Sequence, residues 1–335
     1  MDGDTRGLGA RVMDGMGRPP RRLFALGLGA AAVAVLVDHG LRIDVPPPPP
    51  PVPTRRPAPD ETLLLRAVGA LDRVVEAETS VLAGGKETAL VQRMRAVSQD
   101  QLRVLRGRLT NAGVPTAVID AAVTTGPSPS TSASTGTPTP TGSGTTSSPD
   151  VPVRTPMALA AVLDSLGPGD WAALTTAAAS TRELLAAAWS QRLAAAVLLG
   201  RDVATASPSS ARPAIVARTQ PLVYAFEVVA AQSAGEQRRA AERTLAALVR
   251  LEVAVSGSSS TTPAGWALPY PVTTPDAARR LAVQTLSSAV EAGTELAGSG
   301  PDAATLEDVA RWSAHLQALA VDWHVPLTAF PGANR

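Results

Sequence analysis

Asp60-Glu-Thr-Leu-Leu-Leu-Arg-Ala-Val-Gly-Ala-Leu-Asp-Arg-Val-Val-Glu-Ala-Glu-Thr-Ser-Val81 carries the periodicity that decides the fold class. Leu63, Leu64, Ala67, Val68, Leu71, Val74, Val75 and Val81 follow the spacing that lines side chains along one face of an α-helix. Asp60 stands at the N-cap position, and Gly84-Gly85 ends the pattern. A second helix is expected from Lys86 to about Asn111, with Leu90, Met94, Val97, Leu102, Leu105 and Leu109 on its apolar side. Gly113 and Pro115 stop it, and a short third helix covers Ala117–Val123.

The same spacing returns beyond residue 150. Helices are expected over Met157–Leu166 and Trp171–Gly200, where Leu185, Trp189, Leu193 and Val197 share a face. Pro213 opens a helix to about Ser233, and another runs from Glu236 to Val255. Thr274 caps a helix from Pro275 to Leu296, with proline in its favoured first position. The last spans about Asp302–Val325. No strand pattern interrupts this series, so the fold class is all-α. The expected architecture is an N-terminal helical unit (60–123 and 151–205) followed by an antiparallel four-helix bundle within 211–332.

The flanking segments set the location. Residues 1–22 read as a disordered basic N-terminus. Arg18, Arg21 and Arg22 precede the uncharged run Leu23–Val37, and a basic flank before an apolar run keeps the flank cytoplasmic. Residues 23–41 form a signal core or a membrane anchor; a buried N-terminal helix is the alternative reading. Arg21-Arg22-Leu-Phe also fits a twin-arginine export signal loosely. Ala32-Val-Ala34 offers a cleavage site inside the run rather than after it, which favours a retained anchor over a secreted product. Residues 42–59 are a proline-rich stalk. Residues 124–150 are almost all Ser, Thr, Pro and Gly, too polar to offset their ordering entropy, and read as a disordered linker open to O-glycosylation.

Composition narrows the chemistry. The 335 residues carry a formal charge of +1, so no strong field draws nucleic acid. Cysteine is absent, which excludes disulfides, thiolate metal sites and cysteine nucleophiles. Lys86 is the only lysine among many arginines, and alanine is abundant, a bias of GC-rich coding. Aromatics are few, so each ring marks a packing anchor.

Gly265-Trp-Ala-Leu-Pro-Tyr-Pro-Val272, then Ala277-Ala-Arg-Arg-Leu-Ala282, then Phe330-Pro-Gly332 follow one another in a pattern that resembles an uncharacterised ferritin-like domain family of exported proteins from high-GC Gram-positive bacteria. Val223-Tyr-Ala-Phe226 is similar to that pattern too, and the likeness covers about residues 211–332. Upstream, Gly40-Leu-Arg-Ile-Asp44, the proline-rich stretch and Thr54-Arg follow the same layout. The resemblance implies a ferritin-like bundle and leaves activity open, because the family's function is unknown. Two positions depart from it. His39 stands where family members often carry a lipidated cysteine, and Thr219-Gln220, followed by Pro221, stand where they tend to carry a Glu-His pair.

Candidate sites are correspondingly few. A di-iron bundle places Glu-x-x-His motifs on its helices, and here Trp312 and Val321 stand three residues before His315 and His324. Those histidines are nine residues apart, on nearly opposite sides of a helix. Glu227 and Glu252 lie in apolar helical stretches; turned inward they would form a buried acid pair, and turned outward they reach solvent. No phosphate loop or nucleophile elbow is present, and no cofactor is implied. Trp266, Leu268, Pro269, Tyr270 and Pro271 form a loop expected to cover one side of the bundle, with Phe330, Pro331 and Gly332 folding back onto it. The leading expectation is a non-catalytic envelope module tethered to the membrane, which binds an envelope protein or a small ligand. A ferritin-like metal-binding oxidase or storage protein and a binder of apolar small molecules are the alternatives.

Overall fold

The computed structural model describes residues 55–85, 88–124, 153–203, 209–256, 265–300 and 302–333. The N-terminal segment with its apolar run, the stalk up to residue 54 and the Ser/Thr/Pro tract 125–152 lie outside the described residues. Among the described residues there is helix and connection but no strand, as the 3.6-residue periodicity requires.

Helix α1 (Glu61–Ala83), α2 (Thr88–Asn111) and α3 (Thr116–Thr124) form one group, with α2 and α3 both laid on α1. Gly69 lets α3 approach: a Cβ there would stand 2.5 Å from the Ala122 carbonyl oxygen. Asp60 does not cap α1. Its left-handed backbone (φ 58°) turns the carboxylate outward to accept from the Ala178 N–H at 3.0 Å.

Helices α4 (Pro156–Leu163), α5 (Pro168–Thr175) and α6 (Ala179–Leu198) follow. The single helix expected over Trp171–Gly200 is broken at Thr176–Ala178. Thr175 and Thr176 turn their hydroxyls back onto the Ala172 and Ala173 carbonyls, which competes with helix continuation. α6 is buried all round from Leu184 to Ala196, its alanines serving as the second apolar face. It packs against α4 on one side and against α9 (Pro275–Gly298) and α10 (Ala303–Asp322) on the other.

Helices α7 (Arg212–Gln232) and α8 (Gly235–Ser256) are a tight pair joined by a short turn. α9 packs on α7 and α10, and its N-terminus is capped by Thr274, whose hydroxyl accepts from the Ala277 N–H at 3.2 Å. α10 ends before the expected Val325 because His324 takes a left-handed conformation (φ 63°), and the Val325 N–H returns to the Ala320 carbonyl. Among the described residues α7 is long and apolar enough to cross a membrane, yet Ile215, Phe226 and Val229 on it are core residues.

Among the described residues, the buried apolar side chains from Leu63 to Phe330 belong to one core. Trp171 meets Trp189 edge-on at 5.1 Å, and Phe226 meets Trp323 at 5.5 Å. One junction is left slack: α8 lies close to α7 but barely touches α10.

Candidate ligand clefts along the α8–α10 seam

The seam has a cause in the sequence. The α8 residues on this side are Ala240, Arg243, Ala247, Arg250, Leu251 and Ala254, steps of three and four that form one continuous face. The facing α10 side offers His315, Ala318, Leu319 and Asp322. Alanines have no bulk to fill the space, and charged side chains are costly to bury there unpaired. The helices therefore stand apart, and two clefts open along them.

The first, of about 560 Å³, lies between α8, α10 and the end of α6. Val197, Leu251 and Leu319 supply apolar wall, with Asp202, Arg250 and His315 at its margin. His315 Nε2 sits 2.9 Å from the Val203 carbonyl oxygen, which fixes the ring. The second cleft, of about 430 Å³, lies one helical turn away at the start of α8, the start of α9 and the end of α10. It is polar, lined by Arg239, Arg243 and Arg279 together with Glu236, Asp322 and His324. Trp323 forms its floor, held by an indole N–H donated to the Thr244 hydroxyl at 3.1 Å. Both volumes fall in the usual range for small-ligand sites.

The aromatic loop and the C-terminal motif both lie against the helices. Trp266 is half-buried with its ring 5.8 Å from that of Tyr224. Leu268 and Tyr270 are half-buried against the core, Pro269 and Pro271 are exposed, and Arg280 stands 6.0 Å above the Tyr270 ring. Phe330 and Pro331 are buried. The Thr294 hydroxyl donates to the Pro331 carbonyl at 2.5 Å, and Gln101 Nε2 donates to the Ala329 carbonyl at 2.6 Å. Gly332 adopts φ +73°, and a Cβ there would stand 2.8 Å from the Thr294 hydroxyl and 2.9 Å from the Glu291 Cα.

Glu227 and Glu252 are not a buried acid pair. Glu227 is exposed, because it lies opposite the Phe226 face of α7, and Glu252 is half-buried, accepting from Gln220 Nε2 at 3.3 Å. Thr219 and Gln220 have structural roles instead: the Thr219 hydroxyl accepts the Trp312 indole N–H at 3.0 Å.

The buried charges are elsewhere. Glu78 on α1 is fully buried; Ser98 donates to one carboxyl oxygen at 3.0 Å, and the other has no partner. Burial pushes its pKa up to about 8, with Ser98 and Arg95 pulling the other way. The spacing Leu71, Val74, Glu78, Val81 places this glutamate within the apolar stripe, a signal the sequence contains. Asp308 on α10 accepts from Ser209 at 2.8 Å and Arg212 at 3.1 Å, fastening the start of α7. Arg192 on α6 donates to the Val162 and Leu163 carbonyls and the Ser165 hydroxyl, closing the end of α4, and burial lowers its pKa to about 10. Its partners come from another helix, so no local pattern marks it. Among the described residues no three His, Asp or Glu side chains converge on a point that could hold a metal ion.

The chain matches no protein-family model, no curated protein and no solved structure.

Proposed function

We propose that this protein is a non-catalytic, envelope-associated helical binding module whose ligand is an apolar small molecule held in the α8–α10 seam. The observation that carries the reading is the cleft of about 560 Å³ walled by Val197, Leu251 and Leu319, where alanine on both helices leaves room. In this reading α7–α10 form a ferritin-like four-helix bundle with one side slack. The close pairing of α7 with α8, α9 with α10 and α7 with α9 supports that frame.

The seam holds a few polar groups but not a catalytic set: His315 is engaged with a backbone carbonyl, and Arg250 and Asp202 sit at the margin. A ferritin-like oxidase or metal store is the second reading, resting on the resemblance alone. Metal analysis of the full-length protein separates the two; stoichiometric iron or manganese would overturn our preference. Titration of the full-length protein with Nile red tests the cleft itself, with saturable binding that is lost in Ala247→Phe as the expected result. Retained binding in that variant would remove the cleft as the site.

The location follows from the sequence of residues 18–41. The module is held at the cell membrane by the apolar segment with residues 45–335 outside. N-terminal sequencing of the mature protein tests this, and a start at Val35 would make the protein secreted.

A further inference from the structure

The two clefts have no lining residue in common, but they lie one after the other along the same two helices. On α8 the lining positions 236, 240, 243, 247, 250 and 254 step by three or four residues without a break, and on α10 positions 315, 319 and 322 do the same. Both helices thus present one face along the whole seam, apolar at one end and polar at the other. From Arg243 in one cleft to Ala254 in the other is about 16 Å along α8, at the helical rise per residue.

The polar end has a definite charge character. Arg239, Arg243 and Arg279 line it, and none of them forms an ion pair among the described residues. Their neighbour Arg238 is different, being occupied by Glu242 at 3.3 Å. Glu236 and Asp322 stand on the same rim, so the three guanidiniums leave a surplus of positive charge. Arg239 and Arg243 are one turn apart on α8, and Arg279 lines the same cleft from the first turns of α9; all three are exposed, and forked donors from two helices suit an oxyanion. The apolar end is adjacent and carries a single arginine, Arg250, with Asp202 on the same lining.

We infer that the seam is a single groove for an anionic single-chain amphiphile, with its head group at Arg239, Arg243 and Arg279 and its alkyl chain along Ala247, Leu251, Ala254 and Leu319. This rests on the apolar-cleft reading above and adds the head group and the orientation of the ligand. A free anion would leave the apolar end empty, and a neutral alkyl compound would leave the arginines unanswered; only an amphiphile uses the whole face.

Calorimetric titration of the full-length protein with decyl phosphate, decanol and inorganic phosphate, below micellar concentrations, tests it. Decyl phosphate should bind at least about tenfold more tightly than either of the others, one tenfold step being the scale of a single charge-assisted contact. The triple variant Arg239→Gln, Arg243→Gln, Arg279→Gln should remove that advantage and leave decanol binding within about twofold of its starting value. Ala247→Phe should weaken both decyl ligands and spare inorganic phosphate. Equal binding of decanol and decyl phosphate, insensitive to the arginines, would overturn the inference and leave the apolar-cleft reading standing. Inorganic phosphate binding as tightly as decyl phosphate would overturn it in favour of a simple anion site. Failure of both decyl ligands to bind would overturn the inference and the cleft reading together.

Discussion

Replacing Glu78 by glutamine should stabilise the protein at neutral pH and do almost nothing at pH 4.5. The carboxyl is fully buried between α1 and α2 with one oxygen unpartnered, and burial raises its pKa from 4.5 to about 8. Between those values the folded state holds a proton that the unfolded chain has released. Stability is therefore full below pH 4.5 and falls as pH rises toward 8, by about 1.4 kcal/mol for each pH unit. At pH 7 the accumulated loss is about 3 kcal/mol, a large share of a domain's net stability. Glutamine copies the neutral acid: it can accept the Ser98 hydroxyl, and it carries no charge to release. Urea denaturation of both proteins at pH 5 and pH 7.5 reads the effect. The variant should exceed the parent by roughly 4 kcal/mol at the higher pH and by less than about 1 kcal/mol at the lower. A difference of the same size at both pH values would mean that the Glu78 pKa is not raised by the fold, and a variant less stable at pH 7.5 would mean that the carboxylate is ionised and paired.

Trp266→Ala should cost roughly 1–2 kcal/mol, because the ring is only half-buried against Tyr224; chemical denaturation measures it, and a loss above about 3 kcal/mol would place the ring in the core. Gly332→Ala should destabilise by roughly 1–3 kcal/mol, since φ +73° strains alanine and its Cβ meets Thr294 and Glu291. Limited proteolysis should then release the Phe330 end earlier than in the parent. Arg192→Leu should cost roughly 2–4 kcal/mol by orphaning the Val162 and Leu163 carbonyls, and hydrogen exchange should show α4 opening first.

Most helices are legible in the sequence because their apolar stripes run for several turns, as from Leu63 to Val81 and from Ala277 to Leu296. The break at Thr176–Ala178 is not, because the Trp171–Gly200 segment keeps its periodicity through hydroxyl side chains that bind their own turn. Glu78 is legible in retrospect, standing where the stripe calls for an apolar residue. Arg192 is not, since its partners belong to α4 and only the packed structure brings them near. The alanines at 240, 247 and 254 recur every seven residues, so a thin face on α8 is visible. That it lies opposite Leu319 and His315 depends on how α8 leans on α7, which no local pattern encodes. Glu227 and Glu252 share an apolar neighbourhood in sequence, yet helical rotation sends the first to solvent and leaves the second half-buried beside Gln220.

An alkyl ligand in the α8–α10 seam should perturb the side chains that line it. Methyl-resolved NMR of the full-length protein during a decanol titration tests it most directly. Val197, Leu251 and Leu319 should shift together and saturate, while Leu64, Val91 and Met94 of the α1–α2 pair stay in place. Unmoved seam methyls, or shifts confined to the α1–α2 pair, would contradict it.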